Sequence, residues 1–150
     1  MLPIDPRAIR IALHLLAASV WVGGQLTLGG IVPALRPAGP DNVRAVARAF
    51  QRLAWPAFAV LLITGVWNLA AIDAAARSRA WWTTLLVKLT LVAASGVAAG
   101  LHVLVLGPAV RRAPDPASRR RAAAASGIAE AVSLLAALGA MFLEIGRAHV

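Results

Sequence analysis

Four long apolar runs, at 9–32, 55–72, 81–106 and 122–143, limit this chain more than any other feature. Each reaches the roughly 17–25 residues that carry an α-helix across a bilayer. Hydrocarbon offers no partner to backbone amides, so a run of this kind must bond within itself as a helix. Barrel strands would alternate in polarity and be about half as long. The expected fold is all-α, a four-transmembrane-helix bundle whose first partner is the lipid bilayer. Composition agrees: 60% of the 150 residues are hydrophobic and 14% charged, well below the charge content of a soluble domain. The first run is too long for a signal-peptide core and ends in Pro33-Ala34-Leu35-Arg36 without a small-x-small cleavage site, so it reads as a span.

The formal net charge of +9 comes from arginines placed between the runs, and no separate basic domain exists to hold nucleic acid. Arg36, Arg44, Arg48 and Arg52 lie between runs one and two; Arg111, Arg112, Arg119, Arg120 and Arg121 lie between runs three and four. The positive-inside rule puts both connections in the cytoplasm and the N-terminus outside. Trp55, Trp81 and Trp82 fall at run ends, where interfacial aromatics belong. In the first connection Asp41 can cap a helix with Val43, Val46, Ala47, Phe50 and Leu53 on one face and Arg44, Arg48 and Arg52 on the other. Two readings fit it: an amphipathic helix on the anionic inner leaflet, or a solvated helix leading into the span. Pro114-Asp115-Pro116 marks the other connection as a turn-rich loop. Residues 144–150, Glu-Ile-Gly-Arg-Ala-His-Val, match the in-frame translation of a common sequencing-library adapter, and His149 is set aside with them.

Polar residues inside the runs fall into two layers when depth is counted at ~1.5 Å per residue. His14, Asn68 and Lys88 come out near the outer side; Gln25, His102 and Glu130 near the inner side. His14, Ala18, Trp21 and Gln25 share one helical stripe, and Lys88, Ser95 and His102 recur at seven-residue steps along another. Thr64 with Asn68, and Ser126 with Glu130, are each one turn apart. Gly96 and Gly100 form a small-xxx-small pair suited to close helix contact, including contact with a second copy in a homodimer.

An ionisable side chain in a span is a functional-site candidate, and His14 is the first of these. It is read either as a ligand or as a neutral imidazole bonded across the bundle. Lys88 can act in the interior or snorkel to the interface. Asn68 and Gln25 suit interhelical hydrogen bonding, and Glu130 can pair with His102. The chain has no Cys and two Met, so the soft donors preferred by Cu(I) are scarce. His14 and His102 are separated by ~12 Å or more along the normal of a ~30 Å hydrocarbon core, too far to share one metal ion or the two faces of one haem. Ser-His-Asp sets, phosphate-cradling loops and metalloprotease helices are absent, which removes hydrolases and nucleotide-driven pumps.

In order and spacing these residues resemble the copper resistance protein D (CopD) family of membrane proteins. The resemblance rests on His14, Trp21 and Gly23-Gly24 in run one, Phe50-x-Arg52 before run two, Thr64-Gly65-x-x-Asn68 within it, Leu86-Val87-Lys88 in run three and Glu130 in run four. It implies a bacterial inner-membrane protein of copper homeostasis or transport, with His14, Lys88 and Glu130 as functional positions and a copper-binding periplasmic protein as a partner. On that reading His14 and His102 would be the metal ligands, supported by Trp21, Gln25, Asn68, Lys88 and Glu130. Larger members carry further spans and Met- or His-rich segments that this chain lacks. A more distant resemblance, on His14, Trp21 and Lys88 alone, is to the HemJ-type protoporphyrinogen oxidases, and it implies haem b on His14. The aromatic Pro-Arg-rich run that follows the first-span Trp in those enzymes is replaced here by Ile31-Val32-Pro33-Ala34-Leu35-Arg36.

Overall fold

Four residues set where the long helices begin. Asp5 accepts from the Arg7 amide at 3.0 Å, Ser78 from the Trp81 amide at 3.2 Å, and Asp115 from the Ala117 and Ser118 amides at 2.9 Å each. Each side chain satisfies a donor that a first helical turn leaves open. The fourth is Gly39, whose φ of 103° is available to a residue without Cβ, and Pro40 follows it at the first helical position. Asp41, expected as the cap, sits one residue further in and pairs instead with Arg44 at 2.8 Å.

The structure, a computed structural model, describes residues 5–73 and 77–145, with side chains through Leu143. The elements are α1 (Pro6–Leu35), a 3₁₀ turn (Arg36–Ala38), α2 (Pro40–Ala70), α3 (Arg79–Leu101), a π-helical segment (His102–Leu106), α4 (Gly107–Arg112) and α5 (Pro116–Ile145). Among the described residues four stretches are helical, long and apolar enough to cross a membrane: Pro6–Ala38, Pro40–Ala70, Arg79–Arg112 and Pro116–Leu143. The all-α, four-span expectation holds. Apart from the helical backbone at 144 and 145, the segment read as a translated adapter lies outside the described residues.

Of the two readings of the basic stretch before the second span, the structure takes the helix that leads into the span. It is the first part of α2, continuous with the span through Pro56. Its two faces are as read: Arg44, Arg48 and Arg52 are exposed, while Val43, Val46, Ala47 and Phe50 are half-buried, although Leu53 is exposed. The turn-rich loop likewise shrinks to three residues, Ala113-Pro114-Asp115, because α4 runs to Arg112 and α5 starts at Pro116.

The chain forms two compact units, Met1–Ala76 and Arg77–Val150. In the first, α1 and α2 pack antiparallel, pairing Arg10 with Trp67, His14 with Thr64, Trp21 with Phe58 and Trp55, and Gly24 with Phe50. A Cβ on Gly24 would run into the Phe50 ring, whereas one on Gly23 would meet nothing within 4 Å. In the second, α3 and α5 pack antiparallel, pairing Leu91 with Gly139, Ser95 with Ser133 and His102 with Ser126.

Among the described residues most buried positions are small or hydroxylic (Ala17, Ala54, Ala98, Ala136, Ala137, Ala140, Thr64, Ser95, Ser133), with Trp21, Val22, Gln25 and Leu85 the larger exceptions, while Leu104, Phe142, Val66 and Leu135 are left more than 60% exposed. Lipid is as apolar as leucine, so helices in a membrane gain from close contact and hydrogen bonding rather than from hiding large side chains.

Candidate functional site

The π-helical segment sets the position of His102. The Gly107 amide donates to the His102 carbonyl, five residues back. Pro108 has no amide hydrogen, and its ring would crowd the Leu104 carbonyl in a regular α-helix; the wider turn removes that conflict. Gly107 fits because a Cβ there would lie 3.2 Å from the His102 oxygen.

His102 Nδ1 lies 3.0 Å from both the Ser126 carbonyl and the Ser126 hydroxyl. A carbonyl only accepts, which assigns the proton to Nδ1 and makes Nε2 the lone-pair nitrogen of the neutral ring. Nε2 faces Glu130 Oε2 at 3.8 Å, and both side chains are a little over one third exposed. Glu130 follows Ser126 by one turn of α5, so one helix both orients the imidazole and presents a carboxylate to its other nitrogen. A nitrogen and a carboxylate oxygen at this separation leave room for one positive charge between them. Two metal bonds of about 2 Å each would span about 4 Å.

His14, half-buried on α1, is held in a similar way. Its Nδ1 is 2.8 Å from Thr64 Oγ1, and Thr64 Oγ1 is 2.7 Å from the Val60 carbonyl of its own helix. The one hydroxyl proton goes to that carbonyl, so Thr64 accepts from His14 Nδ1–H and Nε2 again carries the lone pair. Gly65 adds no side chain beside the ring, where a Cβ would come 3.6 Å from His14 Cε1. One turn earlier, the Arg10 guanidinium lies over the Trp67 ring at 5.7 Å.

The remaining polar residues divide by hairpin. Asn68 lies one turn beyond Thr64, half-buried, but the histidine bonds to Thr64. Gln25 is buried and donates to the Trp21 carbonyl at 3.1 Å. Trp21 is 4% exposed, with ring centroids 4.3 Å from Phe58 and 5.7 Å from Trp55, so it locks α1 to α2 two turns from His14. Trp55, expected at the interface, belongs to this cluster. Lys88 is half-buried on α3, on the stripe that continues through Ser95, bonded to Ser133 at 3.2 Å, to His102.

Sequence reasoning passed over Thr64 and Ser126 as the residues that fix the imidazoles. The available signal was spacing: Ser126 and Ser133 on α5 repeat the seven-residue interval of Ser95 and His102 on α3. Among the described residues no group of three or more His, Cys, Asp or Glu side chains could hold a metal ion, so His102 and Glu130 form an open pair.

Comparison with curated proteins and with solved structures returns no match. The family model of copper resistance protein D matches residues 44–143, two thirds of the chain, a stretch that includes Thr64, Lys88, His102, Ser126 and Glu130. With this match, the chain belongs to the copper resistance protein D (CopD) family.

Proposed function

We propose that this protein works in copper homeostasis at the bacterial inner membrane, taking the ion on imidazole and carboxylate groups within its spans. One observation carries the reading: His102, with Nδ1–H donated to Ser126, turns its lone-pair nitrogen toward Glu130 at 3.8 Å. A histidine whose second nitrogen is tied to a backbone carbonyl is oriented as metal-ligating imidazoles are. Copper accepts nitrogen and carboxylate donors. Two donors, rather than a closed set of four, suit an ion that has to leave again. The arginine distribution supports an N-terminus outside, which would put His14 toward the outer face and His102 with Glu130 toward the inner face. His14, with Asn68 one turn beyond its Thr64 partner on α2, would then be an outer polar station.

A second reading is haem bound through His14, and its Thr64-tethered ring supports it. The fixed Nδ1–H makes Nε2 the ligating nitrogen, and the bare Gly65 backbone beside Cε1 suits a flat group held from one side. When bound, haem would supply one-electron redox chemistry.

Copper analysis and an absorption spectrum of the detergent-purified protein separate the two. Copper retained by the parent chain and lost in both His102→Ala and Glu130→Gln is the expected result. A Soret band lost in His14→Ala would replace copper with haem as the conclusion.

A further inference from the structure

We propose that the turn joining α4 to α5 binds the phosphate-bearing headgroups of anionic phospholipids, held by five arginines. Arg111 and Arg112 end α4, and Arg119, Arg120 and Arg121 lie in the opening turns of α5; all five are exposed. Only Ala113, Pro114 and Asp115 separate the helices, and the candidate spans Arg79–Arg112 and Pro116–Leu143 end and begin at this turn. A connection this short cannot leave the membrane surface. At ~1.5 Å per residue, Arg121 is within ~9 Å of the start of α5. The arginines are therefore held in the headgroup layer by the helices themselves.

The local carboxylate is already engaged. Asp115 Oδ1 accepts from the amides of Ala117 and Ser118 at 2.9 Å each, and Oδ2 from the Ser118 hydroxyl at 2.6 Å. These bonds hold its carboxyl below the usual value, so it stays ionised and turned toward the start of α5. Among the described residues no carboxylate pairs with any of the five arginines. Five positive charges at headgroup depth attract an anionic surface. All five are Arg rather than Lys, and a guanidinium forms the bidentate hydrogen bonds that a phosphodiester accepts.

The test is lipid selectivity of the full-length protein reconstituted in bilayers of phosphatidylcholine with increasing phosphatidylglycerol. Native mass spectrometry counts retained lipids, and circular dichroism monitors fold. The expected result is preferential retention of phosphatidylglycerol, lowered about fivefold for each arginine changed to Gln. A variant with Lys at all five positions keeps the charge but not the bidentate bonds, so it should retain the preference only in part. Retention should weaken as salt rises from 0.1 to 1 M, where the screening length shrinks from about 10 to about 3 Å. Equal retention of both lipids, or a folded five-Gln variant with unchanged preference, overturns the proposal. Inorganic phosphate at millimolar concentration displacing the lipid also overturns it, by making a free anion the ligand.

Discussion

His102 Nε2 stands 3.8 Å from Glu130 Oε2, while the other nitrogen of the same ring is tied to Ser126 one turn away on α5. The imidazole thus has one fixed nitrogen and one that meets a carboxylate, in a span where bringing two such groups together needs a reason. The π-helical turn built around Gly107 and Pro108 begins at this residue. Such bulges interrupt helices mostly where a side chain needs special placement.

Ser126 orients His102 through two atoms, and only one of them is a side chain. Ser126→Ala keeps the carbonyl acceptor and should weaken copper binding by a few-fold, whereas Glu130→Gln should weaken it on the order of tenfold or more. Equilibrium copper binding by both purified variants checks the ranking, and equal losses would contradict it.

Thr64 fixes the tautomer of His14. In Thr64→Val the ring loses this acceptor at constant side-chain shape, with an expected cost of about 1–3 kcal/mol in mixed-micelle unfolding. Nitrogen-15 shifts of the His14 ring should report a protonated Nδ1 in the parent and loss of that preference in the variant. An unchanged tautomer in the variant would show that Thr64 does not fix it.

The glycine pair of α1 has one crowded and one open member. Gly24→Ala drives a methyl into the Phe50 ring and should cost on the order of 1 kcal/mol, because the ring tip must move. Gly23→Ala should be close to neutral, and adding Phe50→Leu to Gly24→Ala should recover part of the loss. Equal effects at both glycines would contradict the close approach of Gly24 to Phe50.

Asp115 makes the start of α5 sensitive to acid. Its carboxyl is held below the usual value by bonds from Ser118 and Ala117 that need the ionised form. The stabilisation is present above the ordinary carboxylate value and is lost as pH falls through the lower folded value. Amide exchange protection at Ala117 and Ser118 should therefore hold at neutral pH and fall below about pH 4. Asp115→Ala should show the low protection at every pH.

Much of this was legible because membrane helices have few ways to satisfy polar groups. Run length alone gave four spans. The seven-residue interval from Lys88 through Ser95 to His102 gave the face of α3 that meets α5 at Ser133 and Ser126. The acceptor for His14 was not legible: Thr64 and Asn68 share one face of α2, and the choice between them depends on a side-chain reach that periodicity does not encode. The amphipathic pattern at 43–53 suits a surface helix and the start of a span equally, so the continuity of α2 had to come from the structure. Asp41 does not cap α2, because Gly39, with its positive φ, and Pro40 already start the helix.

The central claim, copper handled through His102 and Glu130, is tested most directly by cellular copper content. A deletion strain should be complemented with the parent chain, His102→Ala or Glu130→Gln, all present in the membrane at matched levels. The account predicts that deletion changes copper accumulation, that the parent chain restores it, and that neither variant does. Accumulation unchanged by deletion, or restored in full by both variants, would contradict it.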